Sequence, residues 1–423
     1  MRLDADVLIV GGGLAGSATA IGLARRGLSS LIIDKADFPR DKPCGEGLLP
    51  HGVSLLSDLG LADVLAGADA QPFEGILYHC GDVVARGDFR APALRGGGDE
   101  DSAARAWTGL GVRRRILDDA IRQRAATFPG VSFLHSNVKS VVQVSLDTDV
   151  VAQVVLADGR TLSGRFLVGA DGPRSVVRHT LGLDGGPPRR KRFALRRHYR
   201  ALGPLPRRVE VHVERDHELY VTPVATGVIG VAALCEQPLM KAQTGDPGDR
   251  LATLIRACPL VHAHVDLETP ESRALACGPL RVRSRTVTQG LAVLVGDAAG
   301  YVDAITGEGM SLALQTAVFA ADAIADTADG ADIRRAFSTY RRRRARVFRD
   351  HAILTFGLVE LAQHPRLARR AIARLAKEPA LFSRLLAVND GQRTFFSLGL
   401  ADLLKLAVGS SPPAQLPADA GAE

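Results

Sequence analysis

The stretch DVLIVGGGLAGSATAIGLARRGLSSLIIDK, residues 6–35, decides the fold. Val7 to Val10 is a short run of branched apolar residues, the pattern of a strand buried on both faces. Gly11, Gly13 and Gly16 follow with the spacing G-x-G-x-x-G. The first glycine permits a tight turn, the second lets backbone approach a pyrophosphate, and the third packs helix against strand. A helix opening at about Leu14 points its free amides and positive dipole end at phosphates. Leu31 to Ile33 reads as the second strand and closes on Asp34. A carboxylate there suits the hydroxyls of an adenosine ribose and disfavours a 2′-phosphate. A glycine triplet alone is only a turn, but strand, triplet, helix, strand and terminal acid together form a dinucleotide-binding βαβ unit.

A chain of 423 residues implies two domains with appendages. No apolar run approaches the roughly 20 residues of a membrane span, so no integral membrane segment is expected. The first strand begins almost at once and leaves no room for a signal peptide, which makes a cytoplasmic location the expectation. Net charge is +7, yet seven of the 53 basic residues are lysines and the rest arginines. The clusters Arg189 to Arg192 and Arg341 to Arg344 lack the interleaved aromatics of a single-strand binder, so no nucleic-acid partner is expected. Arg341 to Arg344 wraps most of a helical turn and reads as a solvated surface. The cysteines (Cys44, Cys80, Cys235, Cys258, Cys277) are far apart and odd in number. Neither a disulfide framework nor a metal site is expected from their spacing.

After Asp34, residues 36–61 form a glycine- and proline-rich loop to about His51, then a helix to about Gly60. The loop carries Arg40, Cys44 and Glu46 and would run beside the cofactor; the alternative is a surface connector. Ile76 to His79 and Val83 to Arg86 are strand-like, and Gly96 to Asp99 reads as a mobile loop. Residues 111–136 read as helix then strand, with Arg114 at the helix start. Val138 to Val144 and Val150 to Val155 form an expected antiparallel pair turning near Asp158-Gly159. FLVGADGPRSVVR, residues 166–178, repeats strand, glycine turn and helix, with Asp171 at the strand's carboxyl end, where open α/β sheets bind ligands. From about 180 to 283 alternating segments predict a mainly antiparallel sheet. Leu291 to Val295 is a buried strand ending in Gly296-Asp297, and Gly307, Gly309 and Met310 open a long helix. Helices are expected to 407, then a disordered tail over 408–423.

The glycine triplet, an Asp-Gly strand end at 171 and Gly-Asp at 296 stand in the order of single-component FAD-dependent oxidoreductases with the para-hydroxybenzoate hydroxylase fold. Within them the chain most resembles the geranylgeranyl reductase family. There a K-x-C-x-E-G motif matches Lys42, Cys44, Glu46 and Gly47. G-D-A-A-G and T-G-E-G match Gly296 to Gly300 and Thr306 to Gly309. FAD-dependent halogenases share Phe38 to Arg40 and Gly45 to Pro50, but their tryptophan-rich motif is missing, since the only Trp is Trp107. The resemblance implies an α/β fold: a Rossmann-type FAD-binding domain (1–71, 109–180, 284–330), an inserted mainly antiparallel β-sheet substrate domain (72–108, 181–283) and a helical C-terminus (331–407).

It also implies the FAD contacts. Gly11, Gly13, Leu14, Ala15 and Gly16 would hold the pyrophosphate, with Asp34 and Lys35 at the ribose. Arg40, Cys44, Gly45 and Gly47 would follow the cofactor from the adjoining loop, the last three along the isoalloxazine. Arg114 would reach the pyrophosphate or ribityl region, Val138 the adenine, and Asp171 the same cleft. Asp297 would bind the ribityl chain, with Gly307, Gly309 and Met310 at the flavin's pyrimidine edge. Helix amides there would stabilise the negative charge of reduced flavin.

With one dinucleotide fingerprint rather than two, NAD(P)H would act as a transient electron donor. Arg196, Arg197 and His198 could meet its phosphate, or form a solvated cluster. Two chemistries fit. The favoured one is a monooxygenase using O2 to hydroxylate or epoxidise a small lipophilic substrate. The other is a geranylgeranyl-reductase-like enzyme delivering hydride to an isoprenoid C=C bond. It is weakened because the family's Y-x-W-x-F-P stretch appears only as Tyr220, Val221, Thr222 and Pro223. A flavin-binding protein without turnover is a further alternative. Cys44 reads as a cofactor-side or substrate-side residue without a redox partner, because no neighbouring cysteine exists in sequence. No catalytic residue stands out, and oligomeric state and nicotinamide preference stay open.

Overall fold

The computed structural model describes residues 3–61, 69–90, 107–146, 149–188, 190–242 and 244–399. The loop expected around Gly96 to Asp99 and everything from residue 400 onward, the expected tail included, lie outside the described residues.

The opening βαβ unit forms as its sequence dictates: β1 (Ala5–Val10), α1 (Leu14–Ala24) and β2 (Ser30–Asp34). Val7, Leu8 and Ile9 are fully buried, which is why the run shows no polar alternation. Around them an eight-stranded sheet has a parallel centre in the order β19 (Ala292–Leu294), β11 (Thr161–Gly169), β1, β2, β8 (Val131–His135). The flanking strands β18 (Thr288–Gln289), β10 (Asp149–Leu156) and β9 (Val138–Leu146) are antiparallel. β9 and β10 pair as expected. The Asp158-Gly159 turn, however, joins β10 to β11: Asp158 caps it by accepting from Arg160 N–H, and Gly159 has φ +88°. The sequence reading took a good turn signal and assigned it to the wrong hairpin.

Helices α2 (Pro50–Asp58), α3 (Arg114–Ala126), α4 (Val176–Thr180) and α8 (Gly309–Ala328) surround this sheet. α8 lies close against α1 because both are rich in small residues. A Cβ placed on Gly22 would come within 2.7 Å of the Ala321 methyl.

The second eight-stranded sheet runs β16 (Val265–Pro270), β12 (Arg192–Ala201), β15 (Val228–Glu236), β14 (His217–Ala225), β13 (Val209–Val213), β5 (Gly75–Cys80), β6 (Val83–Asp88), with β17 (Leu275–Cys277) also on β12. Its pairs are antiparallel except β5 with β13, which are parallel. One face carries α5 (Gln237–Ala242), α6 (Pro247–Ala257) and α7 (Pro259–His262). There Leu251, Leu254 and Ile255 pack on Leu219 and Val231. Asp246 caps α6, accepting from the N–H groups of Gly248 and Asp249. The opposite face meets the C-terminal helices α9 (Ile333–Ala362), α10 (Pro365–Lys377) and α11 (Pro379–Asn389). Ile372, Phe382 and Leu386 pack there with Ile76, Val209 and Val211. A small third sheet, β3 (Gly47–Leu48), β7 (Gly109–Val112), β4 (Ala70–Phe73), clamps the cofactor-side loop and has no counterpart in the sequence reading.

The architecture is therefore a Rossmann-like α/β region, an inserted, largely antiparallel sheet and a C-terminal helical bundle. Two readings of basic clusters are corrected. Arg196 and His198 are buried in β12, because alternation turns both side chains inward. Arg344 is anchored, its guanidinium donating to Ala299 O at 2.6 Å, whereas Arg341 to Arg343 are exposed. No helix among the described residues is long and apolar enough to cross a membrane.

Candidate functional site

One cavity of about 910 Å³ runs from the glycine turn, along the loop after β2, into the space between the second sheet and the C-terminal helices. Gly11, Gly13, Leu14, Ala15, Asp34 and Lys35 edge one end. Arg40, Cys44, Gly45 and Gly47 come from the loop, and Arg114, Val138, Asp171, Asp297, Gly307, Gly309 and Met310 from later in the chain. Gly16 alone among the expected residues does not line it. A Cβ at Gly16 would sit 1.9 Å from Gly11 O, so this glycine serves the turn's packing.

The end of the cavity at the glycine turn is built from backbone. Gly11 has φ +102° and its missing Cβ would fall 2.5 Å from Ala170 O, so only glycine fits. Asp34 is held ready: its two carboxylate oxygens accept from Gly12 N–H at 2.6 Å and Ala36 N–H at 2.8 Å. Arg114, buried at the start of α3, forms a bidentate pair with buried Asp118 at 2.8 Å for each bond. Burial opposes its charge, but Asp118 and the neighbouring Cys44 sulfur outweigh this and hold the guanidinium protonated. Arg40 reaches the same Asp118 at 3.3 Å.

Asp171 has a double position. Its Oδ2 accepts from Val176 and Val177 N–H at 2.6 and 3.2 Å, capping α4. Its Oδ1 is buried without a partner in a residue that lines the cavity. Burial pushes this carboxyl above the ordinary range, although Ser175 and the helix amides oppose the shift. Asp297 pairs with Lys42 Nζ at 2.8 Å. Beyond it Gly307, Gly309 and Met310 bring the amino end of α8 to the cavity, where first-turn amides lack intrahelical partners. Glycine cradle, positioned acid, orphaned Asp171 oxygen and free helix amides fit a dinucleotide such as FAD.

The sequence reading put Glu46 in the cofactor-side loop and set Arg196 and His198 at a phosphate or in solvent, but did not bring them together. Glu46, at φ +61°, is buried between Arg114 and β12. Its Oε1 accepts from Arg114 N–H at 2.8 Å, and its Oε2 meets His198 Nε2 at 2.5 Å. Arg196 stands 3.4 Å from Glu46 and also pairs with Asp41. The strand period of residues 192–201 was the available signal, since Arg192, Arg196 and His198 share one face.

Arg192 is ringed by Glu218 and Asp303, the latter at 3.0 Å. Burial pushes Glu218 up to about 7, Arg192 lowering it and Asp303 raising it further. Glu308, just before α8, is buried with Oε1 partnerless, and burial with nearby Asp390 raises its carboxyl well above its usual range. Cys277 lines the same cavity, and its thiol, pushed up to about 11 by burial, lies near enough to feel Cys44.

The far half of the cavity is mostly apolar, with Glu218 and Tyr220 among its walls. Ile76, Val209, Val211 and Leu234 from the sheet face Leu358, Ile372 and Phe382 from the helices. Tyr220 lies between the halves and donates to Ile305 O at 3.2 Å.

Residues 4–353 match the family model described as an FAD binding domain. Menaquinone reductase of Mycobacterium tuberculosis is 31% identical over 340 residues, 75% of this chain and 76% of that protein. A ubiquinone hydroxylase of Rhodospirillum rubrum is 34% identical over 191 residues, 42% of this chain and 40% of its own. The solved flavoprotein/dehydrogenase of Cytophaga hutchinsonii superposes with a TM-score of 0.79 at 20% identity, covering 92% of this chain and 93% of that one. The chain belongs to the FAD binding domain family and is an FAD-dependent oxidoreductase.

Proposed function

We propose that the protein is a reductase of isoprenoid C=C bonds, acting on a prenylated quinone or a similar polyprenyl compound with NAD(P)H as electron source. The observation that carries this reading is the continuity of the cavity. Its dinucleotide half opens directly into a mostly apolar half formed by the sheet and the C-terminal helices, a shape suited to a long hydrocarbon tail. The 31% identity to a menaquinone reductase supports it.

Bound FAD would supply the hydride. The chain's own residues would do the rest. Gly11, Gly13, Asp34, Arg114, Asp171 and Asp297 would hold the cofactor. The apolar walls would orient the substrate tail and exclude water. Reduction of a C=C bond also needs a proton, and Cys44, which lines the cavity and whose Sγ accepts from Glu46 N–H at 3.4 Å, would donate it. The Glu46–His198 pair behind it would hold a proton in reserve.

Monooxygenation is the second reading, favoured by the partial match to a ubiquinone hydroxylase. One experiment separates them. Protein is incubated with NAD(P)H and menaquinone, anaerobically and in air, and the products are reoxidised and weighed by mass spectrometry. A gain of two hydrogens that survives reoxidation, formed without oxygen, is the expected result. A gain of one oxygen atom, formed only in air, would establish the second reading instead.

A further inference from the structure

On the sheet face turned away from the cavity, β5 and β13 bring together side chains that no local motif connects. In the parallel register His79 lies directly opposite His212. Their rings stack at 4.4 Å, 8° from parallel. Glu210, two residues before His212, shares its face. Its Oε2 is 3.1 Å from His212 Nε2, 3.2 Å from His264 Nε2 and 4.0 Å from His79 Nε2. Nitrogen and oxygen donors of His79, Glu210 and His212 all lie within 4.8 Å of one another. Both ring nitrogens of His79 are buried without a hydrogen-bond partner, which a core histidine avoids.

We propose that His79, Glu210, His212 and His264 form a binding site for a divalent transition-metal ion, zinc foremost. Three imidazoles and one carboxylate supply the nitrogen and oxygen donors that zinc binds, enough to fill its four positions. Donors about 2.0–2.1 Å from a tetrahedral ion stand roughly 3.3 Å apart. The spacings from Glu210 to His212 and His264 are near that value, whereas His79, 4.0 Å from Glu210 and stacked on His212, has to turn out of the stack to aim a ring nitrogen at the ion. The ion would give the orphaned His79 ring a partner. It would also fasten the one parallel junction of this sheet, whose other face supplies Ile76, Tyr78, Val209 and Val211 to the cavity. His264, partly exposed, gives the ion a way in.

The test uses flavin-loaded protein, equilibrated with zinc chloride, desalted and assayed for metal and FAD together. One zinc per chain is expected, with a higher melting temperature. His79→Ala/His212→Ala should lower zinc affinity at least 100-fold with FAD content unchanged. His264→Ala, near the surface, serves as a second variant that keeps the fold and should lower affinity about tenfold. Absence of retained zinc in the parent, or undiminished zinc in the variants, would overturn the site.

Discussion

Asp34 and Cys44 mark the two ends of what single residues can reveal here. Asp34 lies in reach of the cavity with both oxygens already oriented by backbone amides. Hydrogen bonds to charged groups contribute about 1.5–3 kcal/mol each. Asp34→Ala should therefore weaken FAD at least tenfold while leaving FMN, which lacks the adenosine ribose, nearly unaffected. Fluorescence titration with both flavins checks this, and equal losses would remove Asp34 from the ribose. Cys44 is more demanding, because the fold supplies the neighbour that sequence spacing did not: Cys277 shares its cavity. Cys44→Ser should keep FAD and its reduction by NAD(P)H but slow substrate turnover at least tenfold. Thiol counting during anaerobic titration decides between roles. Uptake of two electrons per chain with all thiols retained fits a proton-handling residue, whereas loss of two thiols on oxidation means a Cys44–Cys277 dithiol.

At the scale of elements, the docking of α8 on α1 positions the cavity's two ends relative to each other. Gly22 and the alanines of α8 make that contact close, and a Cβ at Gly22 has only 2.7 Å of room against Ala321. Gly22→Val should destabilise by about 1–3 kcal/mol, the usual cost of overpacking. It should lower FAD affinity as well, because Gly309 and Met310 ride on the displaced helix. Urea denaturation beside flavin titration measures both. Stability lost with FAD affinity intact would mean that the helix pair is only structural. The long helix opening near Gly309 was legible in the sequence, but its packing on α1 was not. The third sheet and α6 were not, since their strands and caps are short and their stability comes from what covers them.

For the molecule as a whole, buried carboxyls govern the response to pH. Glu218 has its folded pKa pushed up to about 7. An acid raised in this way favours folding fully below its unfolded pKa of about 4.5, and that contribution is lost as pH rises through about 7. Glu218→Gln should therefore gain stability relative to the parent between pH 4.5 and 7, and little below. Thermal melts of both proteins across that range test it. A constant difference would mean that Glu218 stays ionised throughout beside Arg192.

The βαβ unit, the second strand-turn-helix at 166–178 and the Gly-Asp turn before α8 were determined by the sequence alone. Each is local: a buried apolar strand, glycines at fixed offsets and an acid at the strand end constrain one another within about thirty residues. The likeness of the chain to FAD-dependent oxidoreductases followed from that. Tertiary structure decided the rest of the site. His79 faces His212 through the pairing of two strands far apart in the chain, while loop-on-sheet and sheet packing bring His198 to Glu46, Arg192 to Glu218 and Asp303, and Cys277 into the cavity that Cys44 lines. A basic or polar residue in an isolated strand reads as solvated, because alternation reveals which residues share a face and not what covers it. Only the packed sheets show that those faces are buried, and burial is what turns these side chains into a site.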